Sequence, residues 1–415
     1  MHIKAGTNRT KPTPLTPQAW SAVGSMTLCV AMLIASEFMP VSLLTPIAAD
    51  LKATEGMAGQ AISISGLFAV ITSLFIANIA GRFNRKHVLT TLTAFMLLSL
   101  ILIASAPNFV VLMAARALLG ITIGGFWALS TATIMRLVPD EAVPRALGLL
   151  YTGNAAATAF AAPIGSFLGG IIGWRGVFWA LVPIALVSLV WQWRSLPALT
   201  PQRAIPVLTL VNLVRDRSVA LAMGGLMLTF GGAFMVFTYF RPFLESTTQV
   251  SVPQLSMMLL ALGMAGFLGT YGASRLVGRH LRKLLVGLPL ALGAVNLGMI
   301  EVGHSFWGVA LFMCLWGTVN SAIPVTWSTW QTRELRHEPE AGGGLMVAVI
   351  QLSIMLGAAG GGLLLDHLSI AATFAGGVVL LVLAAMSMGF QQRVSRAGIV
   401  EGSSTGSAAA LPVES

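Results

Sequence analysis

The feature that most constrains this chain is a succession of apolar segments, each long enough to cross ~30 Å of hydrocarbon as a helix. They fall at about 21–46, 57–80, 88–106, 109–135, 144–172, 174–193, 219–240, 253–274, 284–303, 305–331, 343–365 and 369–390. In lipid a backbone has to satisfy its own N–H and C=O groups, and a helix does so within each segment. Composition points the same way. Only 9% of residues are charged and 56% are hydrophobic, against roughly 25% charged in a soluble domain. Too few charges exist to cover a water-facing surface. The fold expected is an all-α polytopic membrane protein of twelve transmembrane helices. Two joins, Ala106 to Phe109 and Gly173 to Arg175, are so short that the helices they connect must be antiparallel neighbours.

Charge placement orients the chain. With both termini in the cytoplasm, the 24 Lys and Arg residues divide very unevenly between alternate loops. Lys52, Arg175 and Arg241 alone fall on the far side, and Arg116 lies within a span. The rest fall on the terminal side, as the positive-inside rule requires. The net charge of +10 is therefore a membrane signal, and no nucleic-acid partner is expected. The polar, basic start lacks a cleavable apolar core and reads as a cytoplasmic tail.

The longest internal polar stretch separates two halves. The domains expected are a tail at 1–19, a six-helix bundle at 20–194, a linker at 195–218, a second bundle at 219–392 and a disordered tail at 393–415. Apolar residues in 205–214 predict a short helix on the membrane surface. A basic turn follows the second helix (Arg82, Arg85, Lys86) and another follows the eighth (Arg275, Arg279, Arg282, Lys283). Matching turns in matching places mark an internal repeat, and transporters put their sites at repeat interfaces.

No phosphate-binding loop of the form G-x-x-x-x-G-K-[ST] is present, so ATP hydrolysis within this chain is not expected. Neither a metal spacing nor a catalytic nucleophile motif occurs. The sequence reads as neither an enzyme nor a cofactor protein, and Cys29 and Cys314 read as small packing residues. An ion gradient is the remaining energy source. Glu37 is the one acid well inside an expected span. Lipid-like surroundings disfavour a bare carboxylate, so such a group ordinarily faces a cavity, where it can bind and release a proton. The alternative is a carboxylate that snorkels to the interface. Arg116, the one cation inside a span, must find carbonyls or a carboxylate. It reads either as Glu37's electrostatic partner or as a hub that pins helices.

Gly120 with Gly124, Gly165 with Gly169, and Gly357 with Gly361 provide close helix approaches. Pro40, Pro46 and Pro163 predict kinks or gates, with Gly165 beside the last. Polar or aromatic residues within spans are the substrate candidates: Trp127, Asn154, Thr229, Phe234, Tyr239, Asn320, Trp327 and Gln351. A flat heterocycle would want the stacking and amide groups these supply. Each of them could equally bond a neighbouring helix. Trp20, Trp174, Trp191 and Trp193 sit at span ends, as aromatic-belt residues do.

With these residues in view, the chain resembles the major facilitator superfamily, in particular its twelve-helix drug:proton antiporter branch. Arg82, Arg85 and Lys86 match the family's loop between helices two and three, where Ala77, Gly81 and Asn84 replace the usual Gly, Asp and Gly. The acid missing at Gly81 departs from the charge relay usually assigned to that loop. Arg116 and Gly120 match the helix-four pattern, and Ala162-Pro163 with Gly165 matches helix five loosely. Within the branch the likeness is to exporters of purine ribonucleosides, with sugar and arabinose exporters more distant. It runs from about Trp20 to Gln391 and is densest around Glu37–Pro46, Gly124–Trp127, Gly173–Phe178, Phe237–Pro242, Trp327–Trp330 and Val347–Gln351. The resemblance implies a monomeric inner-membrane pump that exports inosine- or guanosine-like nucleosides in exchange for protons. Glu37 and Arg116 would couple the proton. Arabinose-like sugars or multiple drugs on the same scaffold, or a non-transporting receptor, remain the alternatives.

Overall fold

The computed structural model describes residues 17–200, 212–335 and 339–407. Among these there is no strand. The helices are α1 (Pro17–Ser42), α2 (Leu44–Asp50), α3 (Glu55–Ala80), α4 (Arg85–Ala104), α5 (Phe109–Leu137) and α6 (Val143–Ser195). After the linker come α7 (Arg217–Phe237), α8 (Phe240–Phe243), α9 (Val252–Glu301), α10 (Phe306–Glu334), α11 (Pro339–His367) and α12 (Ile370–Ser407). Ten of these, all but α2 and α8, are long and apolar enough to cross a membrane.

Two of the ten are pairs. A helix of 53 residues such as α6 would extend for roughly 80 Å at 1.5 Å per residue, far beyond one bilayer. Its backbone leaves helical geometry at Gly173, with φ 72° and ψ 164°. A positive φ suits glycine, which has no Cβ to clash, so the tight reversal expected at this point has its residue. The 50-residue α9 breaks likewise at His280 (φ −122°, ψ 21°). Counting both pairs gives twelve spans.

Helix starts follow their local chemistry. Asn84, Asn108, Asp216 and Ser305 each accept a backbone N–H of the first turn of α4, α5, α7 and α10. Ser251 and Gln254 form a capping box at α9. These side chains supply partners for donors that the helix leaves open. At the tight α6 turn Arg175 pairs with Asp50 and donates to the Ala106 carbonyl at 2.7 Å. That contact holds the Asp50 carboxyl below the usual carboxylate range.

The residues up to Thr200 and those from Asn212 form two bundles, each with an apolar core, the second core also taking in Val41, Ile62 and Ala162 of the first half. In the first, α1 packs on α6, and α5 packs on α3 and α4; in the second, α9 packs on α10 and α12, and α7 on α11 and α12. The halves meet where α3 crosses α11 and α6 crosses α9. Backbone approach is close at the expected glycines. A Cβ on Gly120 or Gly124 would run into the Ser65 or Ala69 carbonyl of α3, and one on Gly165 would come 2.7 Å from Met39 of α1.

Three expectations need amendment. The basic stretch Arg275–Lys283, read as a loop, is helical apart from His280. Helical backbone bonding does not stop where hydropathy does, and exposed arginines are readily solvated on a helix end. For the same reason the last helix continues to Ser407, past Arg393 where a disordered tail was expected; extending an existing helix is far easier than starting one. The first helix begins at Pro17, inside the expected tail. Most of the expected surface helix at 205–214 lies outside the described residues, as do residues 1–16 of the expected N-terminal tail and 408–415 of the C-terminal one.

Candidate functional site

Glu37 sits five residues before the end of α1 and is only 4% exposed. The first helix breaks just beyond it: Pro40 lies inside α1, Leu43 leaves helical geometry, and Pro46 belongs to α2. Proline has no N–H, so Pro40 cannot donate to the carbonyl four residues earlier, which is Ser36. Arg116 makes up the deficit. Its Nη1 donates to that Ser36 carbonyl at 2.8 Å, its Nε to the Ala61 carbonyl at 2.9 Å, and its Nη2 to Ser65 Oγ at 2.8 Å. A fully buried guanidinium thus ties α1 and α3 to α5, and its charge acts on Glu37. The hub reading has three short hydrogen bonds behind it; the partner reading rests on charge acting at a distance and not on an ion pair.

From the opposite half, the Gln351 side chain of α11 faces Glu37. Gln351 is 6% exposed, and its carbonyl oxygen Oε1 is buried without a protein partner. One acid therefore lies in the field of a cation of its own half and faces an amide of the other.

Beside it a chain of rings joins the halves. Phe38 meets Phe234 at 5.8 Å and Phe237 at 5.7 Å; Phe237 stacks on Trp316 at 5.5 Å with 11° between planes. These separations are those of favourable aromatic pairs. Trp316 Nε1 is buried and also lacks a protein partner. Four residues on, and so on the same face of α10, comes half-buried Asn320. Pro324 frees the Asn320 backbone carbonyl in the way that Pro40 frees Ser36.

The other candidates lie apart. Trp127 of α5 stacks on Tyr151 of α6 at 6.1 Å, and half-buried Asn154 follows one turn along α6. Tyr239 is fully buried and its hydroxyl is occupied, donating to the Ala358 carbonyl at 2.7 Å. Trp327 is buried edge-on to Trp330 at 5.7 Å, and Thr229 bonds back to Gly225 at 2.7 Å. In the basic turn, Arg82 is exposed while the Arg85 N–H donates to the Leu199 carbonyl at 3.1 Å. Asn84 accepts from the Leu199 N–H at 3.0 Å, so this turn is fastened to the start of the linker. The structure brings together Glu37, Arg116, Gln351 and Phe234. It adds Phe38, Phe237 and Trp316, which the sequence reading passed over; the position of Phe38 next to Glu37 was the available signal.

Comparison with known proteins agrees with this architecture. The sequence profile of the Major Facilitator Superfamily matches residues 26–346. A purine ribonucleoside efflux pump of Salmonella enteritidis is 38% identical over 376 residues, covering 91% of this chain and 95% of that protein. A protein of Pseudomonas aeruginosa named a transcription regulatory protein is 49% identical over 371 residues, covering 88% and 92%. Among solved structures, a D-xylose–proton symporter superposes with a TM-score of 0.66 at 18% identity, covering 89% of this chain and 96% of its own. A bacterial homolog of the human lysosomal transporter Spinster gives 0.65 at 17%, covering 91% and 98%. Twelve spans in two bundles, a site of buried polar groups at their interface and these relatives lead to one conclusion: the chain belongs to the Major Facilitator Superfamily, as a multi-pass transporter of small solutes and not an enzyme.

Proposed function

We propose that this transporter exports purine ribonucleosides from the bacterial cytoplasm in exchange for protons, by alternating access, as a monomer in the inner membrane with both termini inside. The observation that carries the reading is Glu37, buried between Arg116 of its own half and Gln351 of the other. A carboxylate in such surroundings is stable only while its charge is answered. When the halves separate, Gln351 leaves and the acid takes up a proton. When substrate enters, the unpartnered Gln351 Oε1 and Trp316 Nε1 have a ring amide to bond, and Phe38 and Phe234 offer faces for a flat base. Trp127, Asn154 and Asn320 would complete a path along the interface. The resemblance to the Salmonella pump supports the choice of nucleosides; sugars or drugs on the same scaffold are the competing cargo.

The test is inosine transport in inverted vesicles with an imposed pH gradient. Glu37→Gln should lower gradient-driven inosine accumulation at least tenfold while leaving gradient-independent exchange of inosine measurable. Full accumulation in that variant would remove Glu37 from coupling, and accumulation of arabinose without inosine would reassign the cargo. The Pseudomonas relative's name favours a second reading, in which the protein influences gene expression. If transport is the cause of such an effect, Glu37→Gln lowers both together; an expression effect that survives the substitution at full size points to a sensor.

A further inference from the structure

We infer that two charges of the second half, Asp366 and Arg241, form a clamp that holds one end of the transporter shut by capping two helix termini of the first half. Among the described residues, the short side-chain hydrogen bonds between the halves are those of Asp366 and Arg241, at the end away from the chain termini.

At the start of α3, Thr54 Oγ1 accepts the Met57 N–H at 3.0 Å, the usual work of an N-cap. The same hydroxyl donates to Asp366 Oδ2 at 2.6 Å, and the Gly56 N–H donates to Asp366 Oδ1 at 3.1 Å. An acid at the end of α11 therefore completes the cap of α3 from across the interface. At the end of α1, Arg241 Nη1 donates to the carbonyl of Ser42, the last residue of that helix. Arg241 is 7% exposed and is held by Glu245 at 2.8 Å. An anion stands at a helix N-terminus and a cation at a helix C-terminus, the two placements that the helix dipole favours. Both helix ends flank one connection, residues 43–54, so the second half grips the first on either side of it. Space has been made for the grip: a Cβ on Gly56 would collide with the Asp366 carboxyl, and one on Gly59 with the Tyr239 hydroxyl.

Opening this end withdraws the acid from Gly56 and Thr54 and the guanidinium from Ser42, and leaves both helix ends short of partners. The clamp thus sets the population of the closed state whatever solute is carried.

Double electron–electron resonance on the full chain in nanodiscs tests this, with Cys29 and Cys314 replaced by Ser. One label pair occupies the exposed helix starts Val110 and Trp307, at the clamped end and on opposite halves. A second pair at exposed Met135 and Leu276 reports the other end. In the parent the Val110–Trp307 distances should fall mainly in one short population. Asp366→Ala and Gly56→Ala should each raise the longer population about fivefold, while Met135–Leu276 shortens in the same samples. Gly56→Ala changes no charge, and its Cβ meets both the Asp366 carboxyl and the Gly362 backbone carbonyl, so it forces the same parting by bulk and keeps the test alive should Asp366→Ala fail to fold. Arg241→Ala should act in the same direction. An unchanged Val110–Trp307 distribution in Gly56→Ala, or lengthening at both ends together, overturns the clamp.

Discussion

Arg116 shows how much one side chain can settle. A guanidinium presents five donors in a rigid fork, whereas an ammonium is a point charge on a flexible stem. Here the fork reaches Ser36, Ala61 and Ser65 at once. Arg116→Lys keeps the charge opposite Glu37 and cannot span all three acceptors. The expected outcome is a loss of about 3 kcal/mol, read as a lower melting temperature in detergent. A variant as stable as the parent would mean that charge alone matters at this position. Sequence pointed to Arg116 and Glu37 because a lone ion in an apolar run is conspicuous. It did not point to Trp316 or Asp366. A tryptophan in a span reads as packing, and an acid one residue beyond a span reads as interface. Only their neighbours, some three hundred residues away in the chain for Asp366, give them meaning.

At the scale of the element, proline and glycine carry most of the information. Pro40 exposes the carbonyl that Arg116 takes, and Gly173 turns α6 into two spans with one residue of positive φ. No other atom lies near enough to Gly173 for a Cβ to strike it, so a side chain there meets backbone strain alone. Gly173→Ala should therefore cost about 1–2 kcal/mol, visible as earlier thermal unfolding with transport intact at low temperature. An unchanged melting curve would mean that the turn relaxes out of the left-handed region. Span number and approximate limits were legible because apolar length is a direct requirement of the bilayer. Helix ends were not, because hydrogen bonding carries α9 and α12 through polar residues that hydropathy treats as loop.

Across the whole molecule, the proposed cycle requires the two halves to move against each other without coming apart. The internal repeat was expected from two matching basic stretches, yet the surfaces along which the halves meet were not, since each is contributed by helices remote in the chain. One of these surfaces is the crossing of α6 and α9, where a Cβ on Gly263 would meet the Ala159 carbonyl. Pro163, four residues on, is what leaves that carbonyl without an intrahelical donor. Gly263→Leu should wedge the crossing and lower the initial rate of transport at least tenfold, while binding of substrate to the detergent-solubilised protein changes little. Retention of the parental rate would show that this contact stays apart during the cycle.

That bare crossing has a mechanical consequence. Where backbone slides on backbone there are no teeth to disengage, so turning about it does not require rotamers to be rearranged in concert. Friction then belongs elsewhere, in the polar grips at the rim, and the speed of the cycle becomes adjustable by exchanging one or two of their charges without disturbing the bearing on which the halves turn.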